Sequence, residues 1–83
     1  MPTILRIASY RFYFHSYDCG EPRHIHVDRE NKSVKFWLDP VVSIAENHGC
    51  SRRELQDIAR IATENLETLR NEWDTLCGST RTA

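Results

Sequence analysis

The sequence predicts an α+β domain: a four-stranded antiparallel sheet of two hairpins, covered on one face by a long C-terminal helix, with a short connecting helix. Three observations predict it. Residues 3–38 fall into short runs rich in β-branched and aromatic residues, separated by turn-sized gaps. Leu55, Ala59, Ala62, Leu66, Leu69, Trp73 and Leu76 recur at spacings of four and three, the signature of one buried helical face. Between these regions, Asp39-Pro40 and Gly49 punctuate the chain.

Thr3 to Ile7 and Tyr10 to Tyr17 read as the first hairpin, turning at Ala8-Ser9. Opposed pairs are then Ile7/Tyr10, Leu5/Phe12 and Thr3/Phe14 on one face, with Arg6/Arg11 and Ile4/Tyr13 on the other. His24 to Glu30 and Ser33 to Leu38 read as the second hairpin, turning at Asn31-Lys32. That register pairs Ile25/Leu38 and Val27/Phe36 on one face, and His24/Asp39, His26/Trp37 and Asp28/Lys35 on the other. Asp39 reads as an N-cap with Pro40 at the first helical position, opening a short helix over Val41 to Asn47 that closes at Gly49. Ser51-Arg52-Arg53-Glu54 is a capping box, and the long helix starts there. Residues 1–77 form one domain, and 78–83 read as a frayed tail.

Composition narrows the class. Eighty-three residues, 40% hydrophobic and 28% charged, suit one small folded domain. No apolar run approaches the length of a membrane span, and no secretory signal is read at the start. The net charge of -1 creates no global attraction for nucleic acid, although residues 1–39 carry net +1 and residues 40–83 net -2. Three cysteines without a C-x-x-C pair argue against a disulfide framework or zinc finger, so reduced thiols and a cytoplasmic location are expected. No cofactor is expected. A core this small makes a partner or a homodimer plausible.

Both apolar hairpin faces must go under the helix, so the polar faces share one side of the sheet. That side collects Arg6, Arg11, Tyr13, His15, His24, His26, Lys35 and Trp37. His24 and His26, two apart on a strand, face the same way, about 6.6–6.8 Å apart along the chain. Three readings fit the pair. Two imidazoles, with ordinary pKa values near ~6.5, suit proton transfer at a ribose 2′-hydroxyl and a leaving oxygen. Arg6, Arg11 and Arg23 would then stabilise charge on phosphorus, while Tyr13 or Trp37 stacks a base beside Lys35. Alternatively the pair chelates a metal with His15, Asp28 or Cys19, although two histidines supply only part of a ligand set. Or the rings simply pack on Trp37. Asp39 opposite His24 admits a carboxylate–imidazole dyad, with capping the simpler role.

Met1-Pro2-Thr3-Ile4-Leu5-Arg6, Glu21-Pro22-Arg23-His24-Ile25-His26-Val27, Lys35-Phe36-Trp37-Leu38-Asp39-Pro40 and Gly49-Cys50-Ser51-Arg52-Arg53-Glu54-Leu55 together resemble a family of small bacterial proteins. The family is catalogued as a domain of unknown function, number four-one-six-zero, and the likeness covers roughly residues 1–77. Members often carry Pro-Pro-His-x-His where this chain has Pro22-Arg23-His24-Ile25-His26; Arg23 would here add an anion contact. Many also have glycine in the first turn, which is absent here. The resemblance implies a toxin–antitoxin-type gene context with a small antitoxin-like partner. The expectation is therefore a toxin-type protein acting on RNA, as a metal-independent endoribonuclease using His24 and His26. The alternatives are a non-catalytic protein- or nucleic-acid-binding module, or a metal-binding domain at the His-x-His pair.

Overall fold

The computed structural model describes residues 3–15 and 19–77. Five strands form one antiparallel meander: β1 (Thr3–Ile7), β2 (Tyr10–Tyr13), β3 (His24–Arg29), β4 (Lys32–Trp37) and β5 (Ser43–His48), ordered β1-β2-β3-β4-β5. Helices α1 (Arg52–Glu64) and α2 (Leu66–Cys77) follow. The α+β class and the antiparallel sheet are as the sequence predicts, but the sheet has five strands and not four.

The fifth strand replaces the short helix expected after Pro40. Val41, Val42 and Ile44 are β-branched, and a seven-residue helix has little stability of its own. The segment instead pairs with β4, matching Val34 with Asn47, Lys35 with Glu46 and Phe36 with Ile44. Asp39 therefore caps nothing. Its carboxylate takes Arg23 Nε at 2.7 Å and Arg70 Nε at 3.1 Å. After β5, the Asn47 carboxamide bonds the backbone N–H and C=O of Cys50, closing a turn in which Gly49 adopts φ +100°.

The first hairpin turns at Ala8-Ser9, with Ile7 opposite Tyr10, Arg6 opposite Arg11 and Leu5 opposite Phe12, as predicted. Beyond Leu5 the register shifts, so Thr3 lies opposite Tyr13 rather than Phe14. Described β2 ends at Tyr13; residues 16–17 of the predicted strand, like the predicted tail 78–83, lie outside the described residues. In the second hairpin Arg29 pairs with Lys32, so the turn is Glu30-Asn31 and not Asn31-Lys32. His26 now faces Lys35 and His24 faces Trp37. The whole pairing is displaced by two positions, which leaves every side chain on its expected face. Alternation alone cannot distinguish the two registers. Interactions beyond the hairpin favour the observed one, because Lys32 at the strand start reaches Glu54 of α1.

The helical region is two helices broken at Asn65. There the Asn65 carboxamide donates to the Ile61 carbonyl at 2.8 Å, and the Thr63 hydroxyl donates to the Ala59 carbonyl at 2.8 Å. Such side-chain bonds compete with the helical ladder and bend it. The stripe still faces the sheet: Ile58, Ala62, Leu69 and Trp73 are fully buried against Phe12, Phe14, Ile25, Val27 and Phe36. Leu76, expected in the stripe, is 40% exposed. No helix among the described residues is long and apolar enough to cross a membrane.

Glu54 fastens α1 to the sheet. Its Oε1 accepts the Ser51 N–H at 2.8 Å, completing the predicted capping box, and its Oε2 takes Arg29 and Lys32 at 3.0 Å each. The Ser51 backbone bond and the Lys32 ammonium hold this carboxyl at about 2, below its ordinary 4.5. A carboxyl depressed on folding contributes stability above its unfolded pKa and loses it as pH falls through the folded value. The stability difference between wild type and Glu54→Gln should therefore be largest above pH 4.5 and shrink toward pH 2, read from urea midpoints. A pH-independent difference would contradict the role assigned to Glu54.

Candidate functional site: an imidazole and aromatic cluster on the open sheet face

The face turned away from the helices is built from cross-strand rows. One row runs Tyr13, His26, Lys35, Glu46 across β2 to β5. The next runs Arg6, Arg11, Asp28, Ser33, His48. A third holds His24, Trp37 and Ser43. Alternation along each strand makes the rows, since their neighbours Phe12, Val27, Val34 and Phe36 point into the core.

Rings gather where the first and third rows adjoin. The His15 and His26 centroids lie 4.4 Å apart, Tyr13 stacks on His26 at 5.5 Å, and His24 meets His26 edge-on at 5.0 Å. His15, His26, Tyr13 and Trp37 are half-buried, each with an accessible part. Cations cover both ends of the cluster: the Arg11 guanidinium sits 4.6 Å above Tyr13, and Lys35 Nζ 4.7 Å above Trp37. This arrangement gives flat surfaces for base stacking, with positive charge beside them.

Carboxylates restrain that charge. Asp28 accepts the Tyr13 hydroxyl at 3.0 Å and lies 3.6 Å from Arg11, while Glu21 holds Lys35 at 2.7 Å. Arg6 is exposed opposite Arg11. Arg23, expected with these two, is elsewhere: it bridges Asp39 and Asp74 of α2 at the end of the sheet. Bonding to the Asp39 carboxylate raises its pKa further. Held between two carboxylates, Arg23 serves as a structural tie.

His24 also departs from the expected role. It is 0% exposed, enclosed by Trp37 and by Trp73 of α2, whose centroid lies 4.9 Å away. Its Nδ1–H donates to the Pro22 carbonyl at 2.9 Å, which orients the ring. The structure thus gives His24 a buried position behind His26, and the imidazole that shares the accessible cluster with His26 is His15. His15 was legible as a member of this face by alternation from Tyr13. Its contact with His26 was not, because it depends on how β2 meets β3.

The thiols differ from the sequence expectation. Cys19 and Cys77, 58 residues apart with Cα atoms at 5.6 Å, form a disulfide, while Cys50 is a buried free thiol. Cys19 is thus engaged by Cys77 and not held ready for a metal. Among the described residues no group of three or more His, Cys, Asp or Glu side chains is placed to hold a metal ion.

No curated protein and no solved structure matches the chain significantly. A family profile described as a domain of unknown function, DUF4160, matches residues 9–74, which include the ring cluster and most of both helices. The chain belongs to that family.

Proposed function

We propose that this chain is a toxin-type protein acting on RNA, binding a single strand across the open sheet face and cleaving it without a metal. The observation that carries the reading is the ring cluster. His15 and His26 touch at 4.4 Å on an accessible face, with Tyr13 stacked beside them. RNA recognition by sheets relies on unstacked bases lying against such rings. Proton transfer falls to His26, with His15 as the second imidazole; His24 backs the pair. Arg6, Arg11 and Lys35 contact phosphate, Arg11 and Lys35 by exchanging with Asp28 and Glu21.

Three phosphate contacts on single-stranded RNA predict a shallow salt dependence. At ~0.7 per contact, log K against log salt should have a slope of about −2. The test is binding and cleavage of a labelled single-stranded RNA oligonucleotide, with chelator present, by wild type, His26→Ala and His15→Ala. Equal cleavage by all three would end the catalytic proposal, and an absence of binding would end the RNA reading.

A second reading rests on the β5 edge. Ile44 is 49% and Val41 64% exposed. Ile44 is one wall of a cleft of about 330 Å³ also lined by Phe36, Val42, Leu55 and Ala59, with Arg52 among its lining residues. An open strand edge beside an apolar cleft suits strand addition by an extended segment. The occupant proposed is a segment of the small antitoxin-like partner, with alternating apolar residues and an acid for Arg52. Ile44→Lys should weaken the complex with that partner at least tenfold by calorimetry while leaving oligonucleotide binding unchanged. Unchanged partner affinity would remove this surface.

A further inference from the structure

We propose that the Cys19–Cys77 disulfide is a redox latch that keeps His24 covered, and that its reduction by a dithiol lets the end of α2 lift away from the imidazole cluster. The latch stands on the geometry of α2; its effect on RNA rests on the reading of the open face given above.

The last turn of α2 packs through Trp73 and Cys77, while the rest of it faces outward. Thr75 and Leu76 are exposed, and that turn contains no basic side chain to favour its terminal carbonyls. Beside that packing it is tied by the ion pair of Asp74, whose side chain is 50% exposed, with Arg23 at 3.0 Å, and by the disulfide at Cys77. One residue before Asp74 stands Trp73, the lid on His24. The Trp73 indole N–H is buried with no acceptor among the described residues, so its seat is incompletely satisfied and leaving it frees a donor to reach water. With the disulfide closed, Trp73 is fixed from both sides, by the buried Leu69 and by Cys77. With the disulfide open, the helix can fray inward from its end.

The exchange is chemically complete. A thiolate of the dithiol attacks Sγ of Cys19, the half-exposed partner, and Sγ of the fully buried Cys77 leaves and takes a proton. The second thiol of the reagent then displaces Cys19. The protein gains two electrons and two protons, and the reagent becomes a disulfide. Under these conditions His24 joins His26, 5.0 Å away, on an accessible face.

The probe is diethyl pyrocarbonate, which acylates accessible imidazole nitrogen, read at each histidine by peptide mass mapping with and without dithiothreitol. Exposed His48 serves as the internal reference, and hydrogen exchange at the Phe36 and Ile58 amides reports global opening. The expected result is at least a tenfold rise in His24 modification on reduction, relative to His48, with both core amides still protected. Cys19→Ser should show the same rise without reductant. Equal protection of His24 in the reduced chain and in Cys19→Ser would overturn the latch. So would loss of core protection together with His24, because the disulfide would then be a staple for the whole fold. Neither readout depends on RNA, so failure of the latch and failure of the RNA reading are separable.

Discussion

Replacing Trp73 with alanine is expected to destabilise the fold by about 3–5 kcal/mol, the largest effect of any single substitution considered. Trp73 is 0% exposed, stands edge-on to Phe14 at 5.4 Å and covers His24, so its removal empties the junction of α2 with β3 and the segment after β2. A chain of 83 residues has about 4–12 kcal/mol of stability in total, so the loss is a large share of it. Trp73→Phe is a sharper comparison. It shrinks the side chain but also deletes the indole N–H that has no acceptor among the described residues, and the two effects oppose each other. The expected cost is about 1–2 kcal/mol. Urea denaturation of both variants, oxidised, checks the pair of values. A Trp73→Ala penalty below about 1 kcal/mol would mean that α2 is not the lid described here.

The second large effect concerns chemistry. His26→Ala should lower RNA cleavage by about 10²–10⁴-fold, the range expected for loss of a positioned acid or base. Its surroundings make the substitution interpretable. His26 is half-buried on a central strand between Tyr13 and Lys35, with no role in the apolar core. Stability should therefore change far less than rate. His26→Gln should keep the strand intact and cleave no faster than His26→Ala, since a carboxamide is neither an acid nor a base near neutral pH. Were His26→Gln to retain full cleavage, His26 would be a spacer between rings and the proton transfer would lie elsewhere.

Local pattern made most of the scaffold legible, and long-range contacts decided the rest. The first turn, the capping box at Ser51 and the buried stripe through Trp73 are written in short spacings, and all are present. The assignment of Arg11, Tyr13, His26, Lys35 and Trp37 to one face also came from alternation. It survived a two-position error in register because strand periodicity is two. Asp39-Pro40 resembles a helix start, while the acid in fact answers Arg23 and Arg70 from distant parts of the chain. Asn65 breaks the helix through side-chain bonds that the apolar stripe does not encode.

The site was legible in the same measure. His24-x-His26 marked the right strand, but burial separates the two rings. His24 lies at the strand start, within reach of Trp73, whereas His26 lies one pair further in, beside Tyr13 and His15. No spacing in the sequence announces that α2 returns over the end of the sheet. The same return brings Cys77 to Cys19 and Asp74 to Arg23, so three expectations failed for one reason. A helix long enough to pass the sheet edge can alter the role of whatever lies beneath it.

In the proposed function RNA is engaged on the ring-bearing face of the sheet. The most direct measurement is a nuclear magnetic resonance titration of the isotope-labelled chain with a short single-stranded RNA. Ring signals of Tyr13, His15, His26 and Trp37 should shift together at one affinity, while amides of Gln56, Arg60 and Thr63 on the outer surface of α1 stay in place. Shifts confined to α1, or none at millimolar oligonucleotide, would contradict it.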